Sequence, residues 1–217
     1  VTVQGNGTQY NTSGSSSFVL GQSGVGTLNV SQGAQMVSSN VYFGSLADGS
    51  GTASISNNGS QWSISNVMWL GDAGTGTLNI QNGGQVALGN NAALRIGGTP
   101  NGVGNLSLNG FGSQLTFGTN ALISVGWQGN GNLMVTNGGV ITGGSGTLGS
   151  SATASGTVLV RHANSQWNMT SDLTVGLYGQ GDLNVQNGAK VSAANLIVGQ
   201  HSGSSGEVIL SGLNSSL

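Results

Sequence analysis

Two pairs of acidic residues stand at spacings that would bring carboxylates together in a repeating chain. Asp48 and Asp72 are 24 residues apart, and Asp182 and Glu207 are 25 apart. Paired carboxylates are what glycoside hydrolysis needs, and polysaccharide lyases set an acidic cluster beside a base. The base is missing from the pattern: Arg95, Arg161 and Lys190 are the 3 Lys and Arg residues of the chain, and they occupy different places in its repeat. The acids therefore read as solvated turn residues and the chain as non-catalytic, with a polysaccharide lyase or depolymerase as the catalytic alternative. His162 and His201 fall at unrelated repeat positions with no spacing that suits zinc. The Asp of a Gly-Gly-x-Gly-x-Asp calcium nonapeptide is not repeated. The many Gly-x-Gly segments lack the strand-to-helix context of dinucleotide binding, and nothing fixes Ser, His and Asp into a triad. No cofactor or metal is expected. Asn6-Gly7-Thr8, Asn58-Gly59-Ser60 and Asn168-Met169-Thr170 match a glycosylation acceptor, but in a chain this rich in Asn, Ser and Thr they carry no assignment.

Composition narrows the classes further. Of 217 residues 42 are Gly, and charged residues make up 4%, far below the roughly 25% of average domains. Low charge argues against the usual disordered class. A net charge of -2 gives no electrostatic footprint for nucleic acid. Hydrophobic residues at 36% suffice for a narrow core. The single proline, Pro100, argues against collagen or polyproline structure. Cysteine is absent, which would mean little in the cytosol but in an exported chain removes any disulfide that could lock structure before translocation. No apolar run of about 18 residues would span a membrane as a helix.

The elements that must position any site come from a repeat. Gly26, Gly51, Gly76, Gly104, Gly131, Gly156, Gly181 and Gly206 open related segments at steps of 25, 25, 28, 27, 25, 25 and 25. Two places after each stands Leu28, Ala53, Leu78, Leu106, Leu133, Val158, Leu183 or Val208, and two places further another apolar residue, Val30 through Leu210. That alternation describes a strand with one face buried. A second strand ends in Gly, as in Val41-Tyr42-Phe43-Gly44 and Met68-Trp69-Leu70-Gly71. A third short run, such as Gln61-Trp62, follows an Asn-Gly turn. Three strands and three turns per unit predict an all-β parallel β-helix, a solenoid of about eight rungs of ~25 residues. The spacing from each second-strand Gly to the next anchor alternates between 5 and 7, so the duplicated unit is ~50 residues, or two rungs. Large and small residues alternate as well: Tyr10, Trp62, Leu115 and Trp167 against Met36, Val86, Ile141 and Val191. Residues 1–217 are expected to form one β-helix segment, truncated at both ends and part of something longer.

The motif Gly24-Val25-Gly26-Thr27-Leu28-Asn29-Val30-Ser31-Gln32-Gly33-Ala34-Gln35-Met36 recurs from Gly74 to Val86 and from Gly179 to Val191. In it the chain resembles the passenger region of bacterial autotransporters, over nearly its whole length. The resemblance implies a right-handed β-helix, exported through its own C-terminal β-barrel and displayed at the outer membrane. Such passengers act as adhesins, including self-associating ones that promote biofilm.

Alternation also names the outward residues. In the second strand they are Val19, Tyr42, Trp69 and Arg95, then Ser124, Thr147, Thr174 and Ile197. Trp, Tyr and Arg on a solvated face are the residues that dominate interfaces. Tyr42, Trp69 and Arg95 are thus the candidate binding residues, for a host or bacterial surface glycan or protein, or for another copy of the chain. The alternative is a ladder that only stabilises its own neighbours. Met134, Leu159 and Ile209 form a second candidate interface, interrupted by Asn184. The functional expectation is a non-catalytic adhesin or self-association passenger whose contacts add along one face. A passive stalk is the other non-catalytic reading.

Overall fold

A computed structural model describes the backbone of residues 1–217 and the side chains of all of them except Ser15 and Ser16. Every regular element is a strand, and the strands lie in two parallel sheets stacked along one axis. The first sheet has nine strands: Thr2–Gln4, Val25–Ser31, Ser50–Ser56, Thr75–Gln81, Val103–Asn109, Asn130–Thr136, Ser155–Arg161, Gln180–Gln186 and Ser205–Ser211. Consecutive strands of this sheet pair in register, so the anchor glycines form one column and the apolar positions two more. Leu28, Leu78 and Leu183 stand in the same column, each fully buried. The chain is a β-solenoid, as the repeat predicts.

The second sheet departs from three strands per turn. In the first three turns the expected second and third strands fuse into Gln9–Leu20, Gln35–Phe43 and Gln61–Leu70. From the fourth turn onward they separate, as in Gln85–Leu88 with Ala93–Ile96 and Gln114–Phe117 with Leu122–Val125. The links explain the difference. Ser38-Ser39-Asn40 and Ser65-Asn66 stay extended and stack on each other, Asn66 Nδ2 donating to Asn40 Oδ1 at 2.7 Å. The link Gly89-Asn90-Asn91 instead turns, with Asn91 at φ 56, a conformation that Asn tolerates better than most residues.

Two glycine columns serve different ends. The second-strand glycines, such as Gly71 at φ 67, take a left-handed corner that would strain any other residue. The anchor glycines have no positive φ; they are small because of what lies beside them. A Cβ on Gly51 would overlap the carbonyl oxygen of Leu20. The first sheet thus passes against the end of the second with no room for a side chain.

The two-turn period has a structural cause. After the first-sheet strands, alternate turns carry adjacent left-handed residues, Asn82-Gly83 for example, or left-handed residues separated by one, as in Gly110 and Gly112. After the first, at Gly5 and Gly7, each turn of the second kind supplies a serine that caps the turn before it. The backbone N–H groups of Gly33, Gly83, Gly138 and Gly188 donate to Oγ of Ser60, Ser113, Ser165 and Ser215 at 3.0, 3.2, 3.1 and 3.0 Å. Ser60, Ser113 and Ser165 are fully buried. The buried serine satisfies an amide that the turn itself leaves free.

The core between the sheets is continuous. Tyr10, Met36, Trp62, Val86, Leu115, Ile141, Trp167 and Val191 form one column on the second sheet. All are buried but Tyr10, which lies on the first turn. The Trp62 indole donates to Ser38 Oγ at 3.0 Å and packs at 6.0 Å, edge on, against Phe18. Trp167 fits because its neighbour in the facing column is Gly146: a Cβ there would lie 3.0 Å from Trp167 Cζ2 and 2.8 Å from Met169 Sδ.

Candidate contact faces

Outward side chains of a solenoid fall into columns one rung apart, about 4.8 Å. Val19, Tyr42, Trp69, Arg95, Ser124, Thr147, Thr174 and Ile197 pair successively and so form one such column. Tyr42, Trp69 and Arg95 are half-buried, whereas Ser124 and Thr174 are buried. Arg95 is clamped. Its guanidinium carbon lies 4.6 Å from the centroid of the Trp69 ring and 4.4 Å from that of Trp127, so an indole lies near it on either side along the rod. Each contact is at a distance where the ring quadrupole attracts a cation. Arg95 Nε is buried with no hydrogen-bond partner.

Trp127 was not among the residues expected to contribute. It follows Gly126, whose φ of 72 turns the chain at the end of Leu122–Val125, and its amide donates to Ile96 O at 3.0 Å. The signal in the sequence is composition: the equivalent corner places hold Gln22, Ser45, Asp72, Gly98, Ser150, Leu177 and Gln200, and no other aromatic.

On the first sheet, Met134 pairs with Leu159, Leu159 with Asn184, and Asn184 with Ile209. Met134 and Leu159 border a hollow of about 310 Å³ that also touches Thr77, Asn105 and Asn132. Ile209, 40% exposed, stands apart from it beyond Asn184.

A second depression has no counterpart in the sequence reading. The link between Val140–Thr142 and Ser145–Leu148 is only Gly143-Gly144, while its neighbours run over 118–121 and 169–172. The short link leaves a notch of about 620 Å³, floored by the two glycines and walled by Phe117, Thr119, Asn120, Thr170 and Ser171.

The acids do not converge with a base. Asp182 and Glu207 pair in register on the first sheet, with Gln180 donating to Asp182 Oδ2 at 3.4 Å. Asp48 is exposed in its corner. Asp72 is half-buried, and desolvation pushes its carboxyl above the ordinary aspartate value. Arg161 lies in the first sheet between Thr136 and Gln186, and Lys190 in the second beside Gln166. His162 occupies a left-handed turn position, and His201 stacks on Tyr178 at 4.1 Å with the planes 1° apart. Among the described residues no group of three His, Cys, Asp or Glu is placed to hold a metal. In the acceptor motif Asn58-Gly59-Ser60 the serine is the buried cap of Gly33. No family model, no curated protein and no solved structure matches this chain.

Proposed function

We propose that the chain is a non-catalytic contact rod, a segment of a passenger displayed on a bacterial surface that attaches to glycan, to protein or to its own copies. The reading rests on one observation above the others: Tyr42, Trp69 and Arg95 stand side by side on successive turns of a rigid scaffold, partly open to solvent. Contacts spaced by one rung bind together without further ordering cost, so weak individual contacts sum into avidity. A chain with 4% charged residues offers little repulsion to a second copy or to a neutral glycan. Export through a C-terminal β-barrel and residence at the outer membrane belong to the same proposal and rest on the repeat motif.

The test is attachment by particles coated with the chain. Trp69→Ala is expected to lower adhesion or particle aggregation with the far-UV β signature intact; unchanged attachment would remove the reading. A passive stalk is the second reading, and the stacking of Arg95 between two indoles of its own chain favours it, since the column then serves the fold. Deleting two turns beyond Trp127, which leaves Tyr42, Trp69 and Arg95 in place, separates the two from the other side. A stalk displays its cargo as before, whereas a shortened rod with Tyr42, Trp69 and Arg95 replaced by Ala loses attachment only if these three residues bind.

A further inference from the structure

The outer face of the second sheet holds a positive charge that nothing on the sheet answers. Its strands contain Arg95 and Lys190 and neither Asp nor Glu. The acids are on first-sheet strands, Asp182 and Glu207, or in corners and links, Asp48, Asp72 and Asp172. Asp172 accepts from Asn195 at 2.8 Å. Asp72, three residues beyond Trp69, has its carboxyl raised by desolvation alone; a guanidinium partner would pull it down.

The guanidinium of Arg95 is also pre-positioned. Trp69 and Trp127 flank it at 4.6 and 4.4 Å, and Nε is buried without an acceptor. What a guanidinium so held retains for recognition is its terminal pair of nitrogens, a planar fork that matches a carboxylate. Rotamer freedom is already lost to the stack, so little ordering cost is left for a ligand.

We infer that Arg95, held between Trp69 and Trp127, docks the carboxylate of an acidic saccharide of the uronic-acid class, with half-buried Tyr42 two rungs away in the same column. This deepens the contact-rod reading and rests on it. An acidic peptide fits less well. Extended peptides gain affinity by adding to an open sheet edge, and the backbone around Arg95 is paired with Trp69 on one side and Ser124 on the other. A saccharide needs side chains only.

The test titrates the whole chain with oligogalacturonate and follows intrinsic tryptophan fluorescence, since two of the 4 Trp residues flank the guanidinium. The expected result is a saturable change that weakens with added salt and is absent with the fully methyl-esterified oligomer. Arg95→Gln is expected to weaken binding about tenfold or more. Arg95→Lys is expected to weaken it as well, because an ammonium lacks the fork. Three results would overturn the inference: no saturable change, equal binding of the ester, or undiminished binding by a folded Arg95→Gln or Arg95→Lys variant. Poly-glutamate binding as tightly as oligogalacturonate would overturn the saccharide assignment. Retained attachment by particles, with no galacturonate binding in solution, would sink this inference and leave the contact rod standing. Galacturonate binding with attachment unaffected by Trp69→Ala would do the reverse.

Discussion

Removing one buried hydroxyl tests the reason given for the two-turn period. In Ser60→Ala the half-buried Gly33 amide, which donates to Ser60 Oγ at 3.0 Å, loses its acceptor. A fully buried donor left unpaired costs about 1–3 kcal/mol, so the half-buried Gly33 amide belongs at the lower end of that range. Ser113→Ala is expected at the upper end, because Ser113 Oγ accepts from Gly83 and also donates to Asn109 O at 2.9 Å. For a chain of 217 residues each kcal/mol lowers the thermal midpoint by about 2–4 °C. The assay is thermal and urea unfolding by far-UV circular dichroism, with exposed Ser202→Ala as control, expected within about 0.5 kcal/mol of the parent. Amide hydrogen exchange adds a local readout: Gly33 should exchange faster in Ser60→Ala, and Gly138 in Ser165→Ala. The caps lie two rungs apart, about 10 Å, so the costs of Ser60→Ala, Ser113→Ala and Ser165→Ala should add. A Ser60→Ala variant that matches the Ser202→Ala control, with Gly33 exchange unchanged, would refute the capping argument.

Other substitutions probe the glycine columns, the core and the one perturbed acid. Gly51→Ala sets a Cβ against Leu20 O and should cost several kcal/mol in the same unfolding assay, whereas Gly24→Ala meets open space and should be neutral or add about 0.4–1 kcal/mol. Gly146→Ala crowds Trp167 and Met169 and should cost about 1–3 kcal/mol, with the near-UV tryptophan signal altered. Asp72 has a folded pKa above its ordinary value of 3.8, so its ionisation works against the fold as pH rises through that folded value. Asp72→Asn should therefore raise the unfolding midpoint at pH 7, and the gain should vanish as pH falls below the ordinary aspartate range. A gain that persists in acid would mean that desolvation is not the cause.

Much of the solenoid is legible because its information is local and repeated. Leu28 and Val30 face inward by alternation alone, and the same two positions recur on every turn, so burial and register follow together. The alternating 5- and 7-residue corners announce the double period. Their partner device, the serine cap, was visible only as Ser next to Gln, because its hydrogen bond joins residues 27 apart, as between Gly33 and Ser60. Trp127 escaped for a related reason: a residue after a left-handed glycine is aimed by the corner, and strand alternation no longer says which way it points. The notch at Gly143 and Gly144 depends on the lengths of the links above and below it. The fusion of strands in the second and third turns goes with a Ser-Asn link where the fourth turn has Gly-Asn-Asn, a choice that a three-strand template does not contain.

The serine cap has a consequence for how a rod of this kind changes length. Each cap joins unlike neighbours, so excising a single coil would set two turns of one kind against each other and strand a glycine amide in the interior. Excising a couple restores every junction. Gene duplication or deletion in this lineage of repeats should accordingly leave an even tally, and the reach of the molecule should vary in quanta of about 10 Å.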